Sequence, residues 1–513
     1  MTTYASAPAG NAGHTPEPHT PADRLRLLWL GVGAALSLVA VHGRFDISLA
    51  AWLYMIFLLR FSRSTRPLVA IGILWLVSTA GAFFWAYSSA VPMNPTIAGG
   101  AIALGSLVAV PFVVDRLLFA HLGTRTGLLL FPLMVVGMQF LIGSISPFGT
   151  SFGLLGSTQH ANLPLLQLIS VTGPYAIGFL FGWTATVVNR VWADPSAGRA
   201  HAASVGVLGT VLLVTLLAGG LRLAWFPPDS ATVRVAGLSP SQDGTAEMDE
   251  ALGGEPQVQT LSRTEPAAAT DAFEPVNRDL LDRTRQAAEG GAKIVFWSEQ
   301  AANVTAAGED VFLAEAAELA RQEQIYLQVA EYVHLPTAPH SRNVTRLFDP
   351  TGNLVTSYDK SHPIPGLEHY PAGPGTVEVV DTPYGRLATV ICFDADFVPL
   401  ARVDADIMVV PARDWAEVGE VHSQKAALRA VENGYSVVRQ GEFGQATAWD
   451  YQGRVLSDQA YATTPALTMM VDVPTEGSRS VYNRVGDIFA WICVAASAWI
   501  LGMGFVARRR RRA

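Results

Sequence analysis

The chain has 513 residues, half of them hydrophobic and only 15% charged, with a formal net charge of −8 and two cysteines. That composition excludes an ordinary soluble domain and a disulfide-stapled scaffold, and it points to membrane segments. It also disfavours nucleic-acid binding, because neutralising phosphates needs a basic face.

Residues 1–23, rich in Pro, Ala, Thr and His, lack the charged-then-apolar order of a signal peptide and read as a disordered cytoplasmic tail. Residues 24–226 hold seven apolar stretches, at 25–42, 45–59, 68–87, 97–114, 126–145, 165–188 and 203–226. An eighth, 488–506, lies within 485–507. A helix rises about 1.5 Å per residue and the hydrocarbon core is about 30 Å thick, so most can span. The second is short, and Gly173-Pro174 makes the sixth a candidate for a broken or re-entrant segment. Arginines set the orientation. With the amino terminus inside, Arg24, Arg26, Arg60, Arg63, Arg66, Arg116, Arg125, Arg190, Arg199 and the basic tail 508–513 are cytoplasmic, leaving Arg44 and Arg222 near the outer ends. Seven crossings then place the acidic segment 227–484 outside.

Within that segment short β-branched runs alternate with helical ones, the pattern of a layered α/β domain. Strands are expected at 232–236, up to Glu299, at 325–329, 407–410, 435–439 and 446–449, with hairpins over 343–358 and 377–392. Helices are expected at 277–289, 311–323 and 422–433. Three chemically useful groups sit at or just past the ends of extended runs: Glu299 in Trp297-Ser298-Glu299, Lys360 in Tyr358-Asp359-Lys360 and Cys392 in Ile391-Cys392-Phe393-Asp394. A thiol attacks acyl carbon as thiolate, a carboxylate can take its proton, and an ammonium can stabilise the oxyanion, helped by the Phe393 backbone N–H. Only three of the chain's basic residues are lysines (Lys293, Lys360, Lys425), so a lysine kept here is one whose compact ammonium is needed. Singly, each group has a plainer reading as a solvated or packing residue. Cys493, inside the eighth stretch, reads as a small apolar residue.

Taken together and in order, these motifs resemble the nitrilase (carbon–nitrogen hydrolase) superfamily, and with eight spans its apolipoprotein N-acyltransferase branch. The resemblance implies an αββα sandwich with a Glu299-Lys360-Cys392 triad and Glu368 as a supporting glutamate eight residues after the lysine. It also aligns Trp415 with a tryptophan on a substrate-side loop, although a lipid-facing interfacial anchor reads equally well. His422, Gln424, Arg429 and Glu432 match a family helix, as Thr158-Gln159 and Gly173 to Leu180 match its sixth-span region. Arg429 and Glu432 read more simply as a surface pair at i, i+3. Family Asn-Asp-Ala-Trp-Phe is here Ala412-Arg413-Asp414-Trp415-Ala416, and Asn-Thr-Gly is Glu442-Phe443-Gly444, which places Glu442 among the substrate-binding candidates.

The resulting expectation is a multi-pass enzyme of the bacterial cytoplasmic (inner) membrane with its catalytic domain on the extracytoplasmic side. It would move an acyl chain from a phospholipid, through a thioester on Cys392, to the α-amine of a diacylglyceryl-cysteine lipoprotein. No cofactor is expected, and no metal, since the histidines show no ligand spacing. A membrane-tethered amidase, a transferase with another acceptor and a non-enzymatic scaffold are the alternatives.

Overall fold

The computed structural model describes residues 21–510. The expected amino-terminal tail lies almost wholly outside the described residues, as do the last three residues of the basic tail. The first half is helical: α1 (Pro21–Leu38), α2 (Ser48–Ser64), α3 (Pro67–Ser88), α4 (Pro95–Leu118), α5 (Thr124–Ile145), the short α6 (Leu163–Leu166) and α7 (Ile169–Thr172), α8 (Ala176–Ala193) and α9 (Gly198–Trp225). Pro67 and Pro95 open α3 and α4 at the one helical position where a missing N–H costs nothing. Among the described residues five helices are long and apolar enough to cross a membrane: α3, α4 with the turn after it, α5, α9 and the carboxy-terminal helix. The expected sixth span is broken, the α6–α7 piece meeting α8 at 112°. Gly173 makes the corner at φ +75°, and a Cβ there would lie 2.4 Å from the Tyr482 ring. The first two expected spans are shorter helices, and α2 carries Arg63, which pairs in a fork with the fully buried Asp115 of α4.

The second half is a four-layer sandwich. In chain order it contains β1 (Thr232–Leu238), α10 (Gln242–Leu252), α11 (Glu255–Thr264), α12 (Pro266–Glu289), β2 (Ile294–Trp297), β3 (Ala302–Thr305), α13 (Glu309–Glu323), β4 (Tyr326–His334), β5 (Ser341–Phe348) and β6 (Leu354–Asp359). It continues with β7 (Val379–Thr382), β8 (Gly385–Thr389), α14 (Val398–Ala401), β9 (Ile407–Arg413), α15 (Ala416–Asn433), β10 (Ser436–Glu442), β11 (Gln445–Trp449), β12 (Val455–Ala460) and β13 (Thr468–Pro474). Then α16 (Val481–Val485) leads into α17 (Ile488–Arg510). One sheet runs β13-β1-β2-β4-β5-β6 with β3 beside β4, and the other β12-β11-β10-β9-β8-β7.

Side-chain alternation builds the layers. Val233, Val235, Ile294 and Phe296 face Ile407, Val409 and Val438 between the sheets, while Ala236, Leu238, Val295 and Trp297 face Phe273, Leu280 and Leu319 of the outer helices. On the far side Met408, Val410 and Val437 pack under Ala427, Leu428 and Val431 of α15, and that core continues into Leu165, Leu166 and Ile169 of the membrane part. The layer order is that of the expected αββα sandwich, with α15 clamped between a sheet and the membrane helices.

Several expectations need correction. The expected helix at 277 begins at Pro266 and is preceded by α10 and α11, and β3, β12 and β13 were not anticipated. Arg429 and Glu432 do pair, but they are 4% and 0% exposed rather than on a surface, because the membrane part covers their face of α15.

Candidate active site

Glu299 follows β2, whose parallel pairing with β1 continues through Ser298 N–H to the Leu238 carbonyl. Lys360 follows β6, its N–H donating to the Asn343 carbonyl. Strand ends on one edge of a sheet thus bring an acid and an amine together: Lys360 Nζ lies 2.8 Å from Glu299 Oε1 and 2.8 Å from Glu368 Oε1. Glu299 Oε1 also accepts from Asn343 Nδ2 at 2.7 Å, and its Oε2 from the Arg413 N–H at 3.0 Å. Glu368 Oε2 accepts from the Ile364 N–H at 2.7 Å. The Lys360 side chain is fully buried.

Burial alone would lower the Lys360 pKa, but Glu299 and Glu368 together hold the ammonium well above the usual lysine range. Burial pushes the Glu299 carboxyl up; Lys360 opposes this and Glu368 adds to it, for a net rise.

Cys392 sits past β8, at the start of a 3-10 turn running to Asp396, with φ +46°. A left-handed φ on a residue with a Cβ is costly and is held by its surroundings. Asp394 does much of that holding. Its carboxylate accepts from Tyr358 Oη (2.8 Å), Ser361 N–H (3.0 Å) and His362 N–H (2.8 Å), stitching the cysteine turn to the lysine turn. The thiol is 7% exposed and donates to the Arg413 carbonyl at 3.8 Å, so Arg413 joins both Cys392 and Glu299 through its backbone. Burial and then the Glu299 charge push the Cys392 thiol well above its ordinary value, with Lys360 opposing. A thiol so held is protonated at rest and needs a base at the moment of attack.

The remaining candidates fall into two groups. Phe393 and Trp415 line an apolar cavity between α3, α4 and the loops after β6 and β8, with Trp85, Leu104, Phe152 and Leu367 among its other walls. Trp415 is held by its indole N–H to the Ser89 carbonyl at the end of α3, so it faces the cavity, docked on a membrane helix. Glu442, at the end of β10, is 3% exposed beside Arg413 at 3.6 Å, and burial raises its carboxyl to about 7. Sequence reasoning missed Asn343, Asp394 and the Asp414–Arg439 fork (2.7 and 2.8 Å), which lies behind the thiol. Of these, Asp394, inside the cysteine motif, and Asp414, beside Trp415, left a local signal.

The geometry can activate a thiol, stabilise an oxyanion and shelter an acyl chain. A family model described as apolipoprotein N-acyltransferase N-terminal domain matches residues 32–187, and one described as carbon-nitrogen hydrolase matches 265–483. The chain is 26% identical to an apolipoprotein N-acyltransferase of Geobacter metallireducens over 74% of each protein. It is 25% identical to one of Bradyrhizobium diazoefficiens over 79% of this chain and 78% of that one. Among solved structures, an amidase from Nesterenkonia sp. matches 50% of this chain and 94% of its own at 18% identity and TM-score 0.38. With both domains matched in order and two relatives aligned across membrane and catalytic parts alike, the chain belongs to the apolipoprotein N-acyltransferase family of the carbon–nitrogen hydrolase (nitrilase) superfamily.

Proposed function

We propose that the protein transfers an acyl chain from a phospholipid to the free α-amine of a diacylglyceryl-cysteine lipoprotein, through a thioester on Cys392. In this reading the chain crosses the bacterial inner membrane eight times, counting α1, α2 and the bent segment, with the sandwich on the extracytoplasmic side. The observation that carries it is the junction of two environments: a buried Glu299–Lys360–Glu368 cluster beside the thiol, and an apolar cavity reaching from Phe393 to α3 and α4. An acyl chain costs about 0.8 kcal/mol per CH₂ to draw into water, so a cavity walled partly by membrane helices favours a lipid donor over a soluble one.

Glu299 takes the thiol proton as sulfur attacks the ester carbonyl, and Lys360 with the Phe393 N–H stabilises the oxyanion. Collapse forms the thioester and releases the lysophospholipid, whose alkoxide takes the proton back from Glu299. The acceptor amine then attacks and gives Glu299 a proton, which returns to the sulfur as the amide leaves. Intact-mass analysis of a Cys493→Ala protein incubated with phospholipid should show one lasting acyl adduct, absent in Cys392→Ala. A diacylated lipopeptide with a free amino terminus should discharge it as an amide. Rapid release of free fatty acid without amide would make the protein an amidase-type hydrolase, and no adduct at all would overturn the thioester.

A further inference from the structure

Away from the triad, two turns meet beneath α15. The turn between α1 and α2 carries His42 and Asp46, and the turn before α6 carries His160. His42 is 1% exposed, with φ +54°. Its Nε2 lies 3.2 Å from the Val421 carbonyl of α15, and its Nδ1 lies 2.9 Å from Asp46 Oδ2. A carbonyl can only accept, so Nε2 carries the ring proton. The neutral ring then aims the lone pair of Nδ1 at an anionic oxygen, and something positive must lie between them: a second ring proton or a metal ion.

His160 favours the metal. Its Nδ1 is 3.2 Å from the Ser157 carbonyl, which fixes the proton there and leaves Nε2 as a bare lone pair. Its ring centroid is 5.6 Å from that of His42, and one ligand atom from each of His42, Asp46 and His160 lies within 4.8 Å of the other two. Asp46 Oδ1 is buried and has no hydrogen-bond partner. A proton shared by His42 and Asp46 would use neither that oxygen nor the lone pair of His160. A single divalent cation accepts from all three residues.

We propose that His42, Asp46 and His160 bind a first-row divalent cation of the Zn²⁺ type. Two imidazoles and a carboxylate are a common zinc donor set, and the hydrogen bonds from His42 to Val421 and from His160 to Ser157 are the outer contacts that orient such ligands. The site contradicts the expectation drawn from histidine spacing, because its ligands come from separate turns that only the fold assembles. Its place suggests its role. The ion would lock the α1–α2 turn to the Ser157–His160 turn under α15, whose first turns supply Val418 and His422 to the cavity wall beside Trp415. It would therefore steady the acyl-chain cavity without touching the triad.

The test uses full-length, tag-free protein in detergent, stripped with EDTA and titrated with Zn²⁺ and, separately, Co²⁺. We expect one ion per chain at micromolar or tighter affinity, visible Co²⁺ absorption bands of low coordination number, and a rise in apparent Tm on adding Zn²⁺. Asp46→Asn and His160→Ala should keep the Tm of the stripped wild type while losing stoichiometric binding, the absorption bands and the Zn²⁺-dependent rise. Cys392→Ala should bind as the wild type does, which separates this site from the active-site thiol. Failure of the stripped wild-type protein to bind one Zn²⁺ would overturn the proposal, as would binding unchanged in both ligand variants.

Discussion

Replacing Lys360 with methionine keeps the length and apolar stem of the side chain but removes the cation that bridges two carboxylates. The side chain is fully buried, with Nζ 2.8 Å from both Glu299 and Glu368; Glu299 is 1% exposed and the Glu368 side chain 19%. Glu368 can recruit water, so the stranded charge is chiefly that of Glu299. Removing one partner of a buried pair costs about 3–5 kcal/mol when the other stays charged. Glu299 has an escape, which is to take a proton. Burial already raises its carboxyl, and without Lys360 the main opposing influence is gone.

The folded-state pKa then lies above the unfolded value of about 4.3, so the folded protein holds a proton that the unfolded chain has lost. The penalty is absent below that value and grows as pH rises to the folded-state pKa, by about 1.4 kcal/mol per unit of difference. In detergent at pH 8, Lys360→Met should melt roughly 6–20 °C below wild type, taking about 2–4 °C per kcal/mol. The gap should narrow markedly at pH 5.5, and acyl transfer should be absent throughout. Adding Glu368→Gln should restore part of the loss at pH 8. An equal gap at both pH values, or no gap at pH 8, would refute the reasoning.

Glu442→Gln should stabilise the protein above pH 7. Its carboxyl is raised by burial to about 7, so wild-type stability is lost as pH climbs from the unfolded value through 7. The variant should gain up to roughly 3 kcal/mol at pH 8 and nothing near pH 4, read by denaturant melts. Arg429→Met strands the fully buried Glu432 and should cost about 3–5 kcal/mol, with most of it regained in the double variant with Glu432→Leu; a single-variant cost below about 1 kcal/mol would contradict a buried pair. Ala101→Trp fills the apolar cavity from α4. It should stop transfer from long-chain phospholipid while acylation by a short-chain activated ester persists, and equal loss with both donors would mean the cavity does not hold the chain.

Glu299, Lys360 and Cys392 could be picked out from the sequence as candidates because each ends a β-type run within a local motif, and in the structure the strand ends that carry them converge. Asn343 could not be read this way. It faces Glu299 only because β5 pairs with β4 in the register that sets it opposite Tyr332. The Arg429–Glu432 pair shows the limit most clearly: its i, i+3 spacing is the same on a solvated or a covered face, and what covers α15 is a different part of the chain. β13 was missed despite alternating burial at Met469, Val471 and Val473, since a strand whose partner is the distant β1 has no neighbouring turn to announce it.

That covered face also decides what the membrane part contributes. The turn that presents Cys392 ends at Asp396, and Asp396 is held largely by the loop after α5. Thr150 donates to its carbonyl from both N–H (2.9 Å) and Oγ1 (2.7 Å), and Ser151 Oγ donates to its carboxylate at 2.6 Å. From the other side Arg429 Nη2 reaches Thr150 Oγ1 at 2.8 Å and Lys425 Nζ reaches the Ser151 carbonyl at 3.1 Å. Burial would raise the Asp396 carboxyl, but Lys425 and His422 hold it below the usual range, so it remains a charged anchor. If the sandwich were cut from the membrane helices, the cysteine turn would lose these donors while Lys425 and Arg429 lost their neutral partners, and the strained φ of Cys392 would have less to hold it. The membrane helices are thus a structural half of the candidate site. The apolar cavity next to Phe393 likewise takes its walls from both halves, with Trp85 and Leu104 from the membrane part and Leu367 and Trp415 from the sandwich.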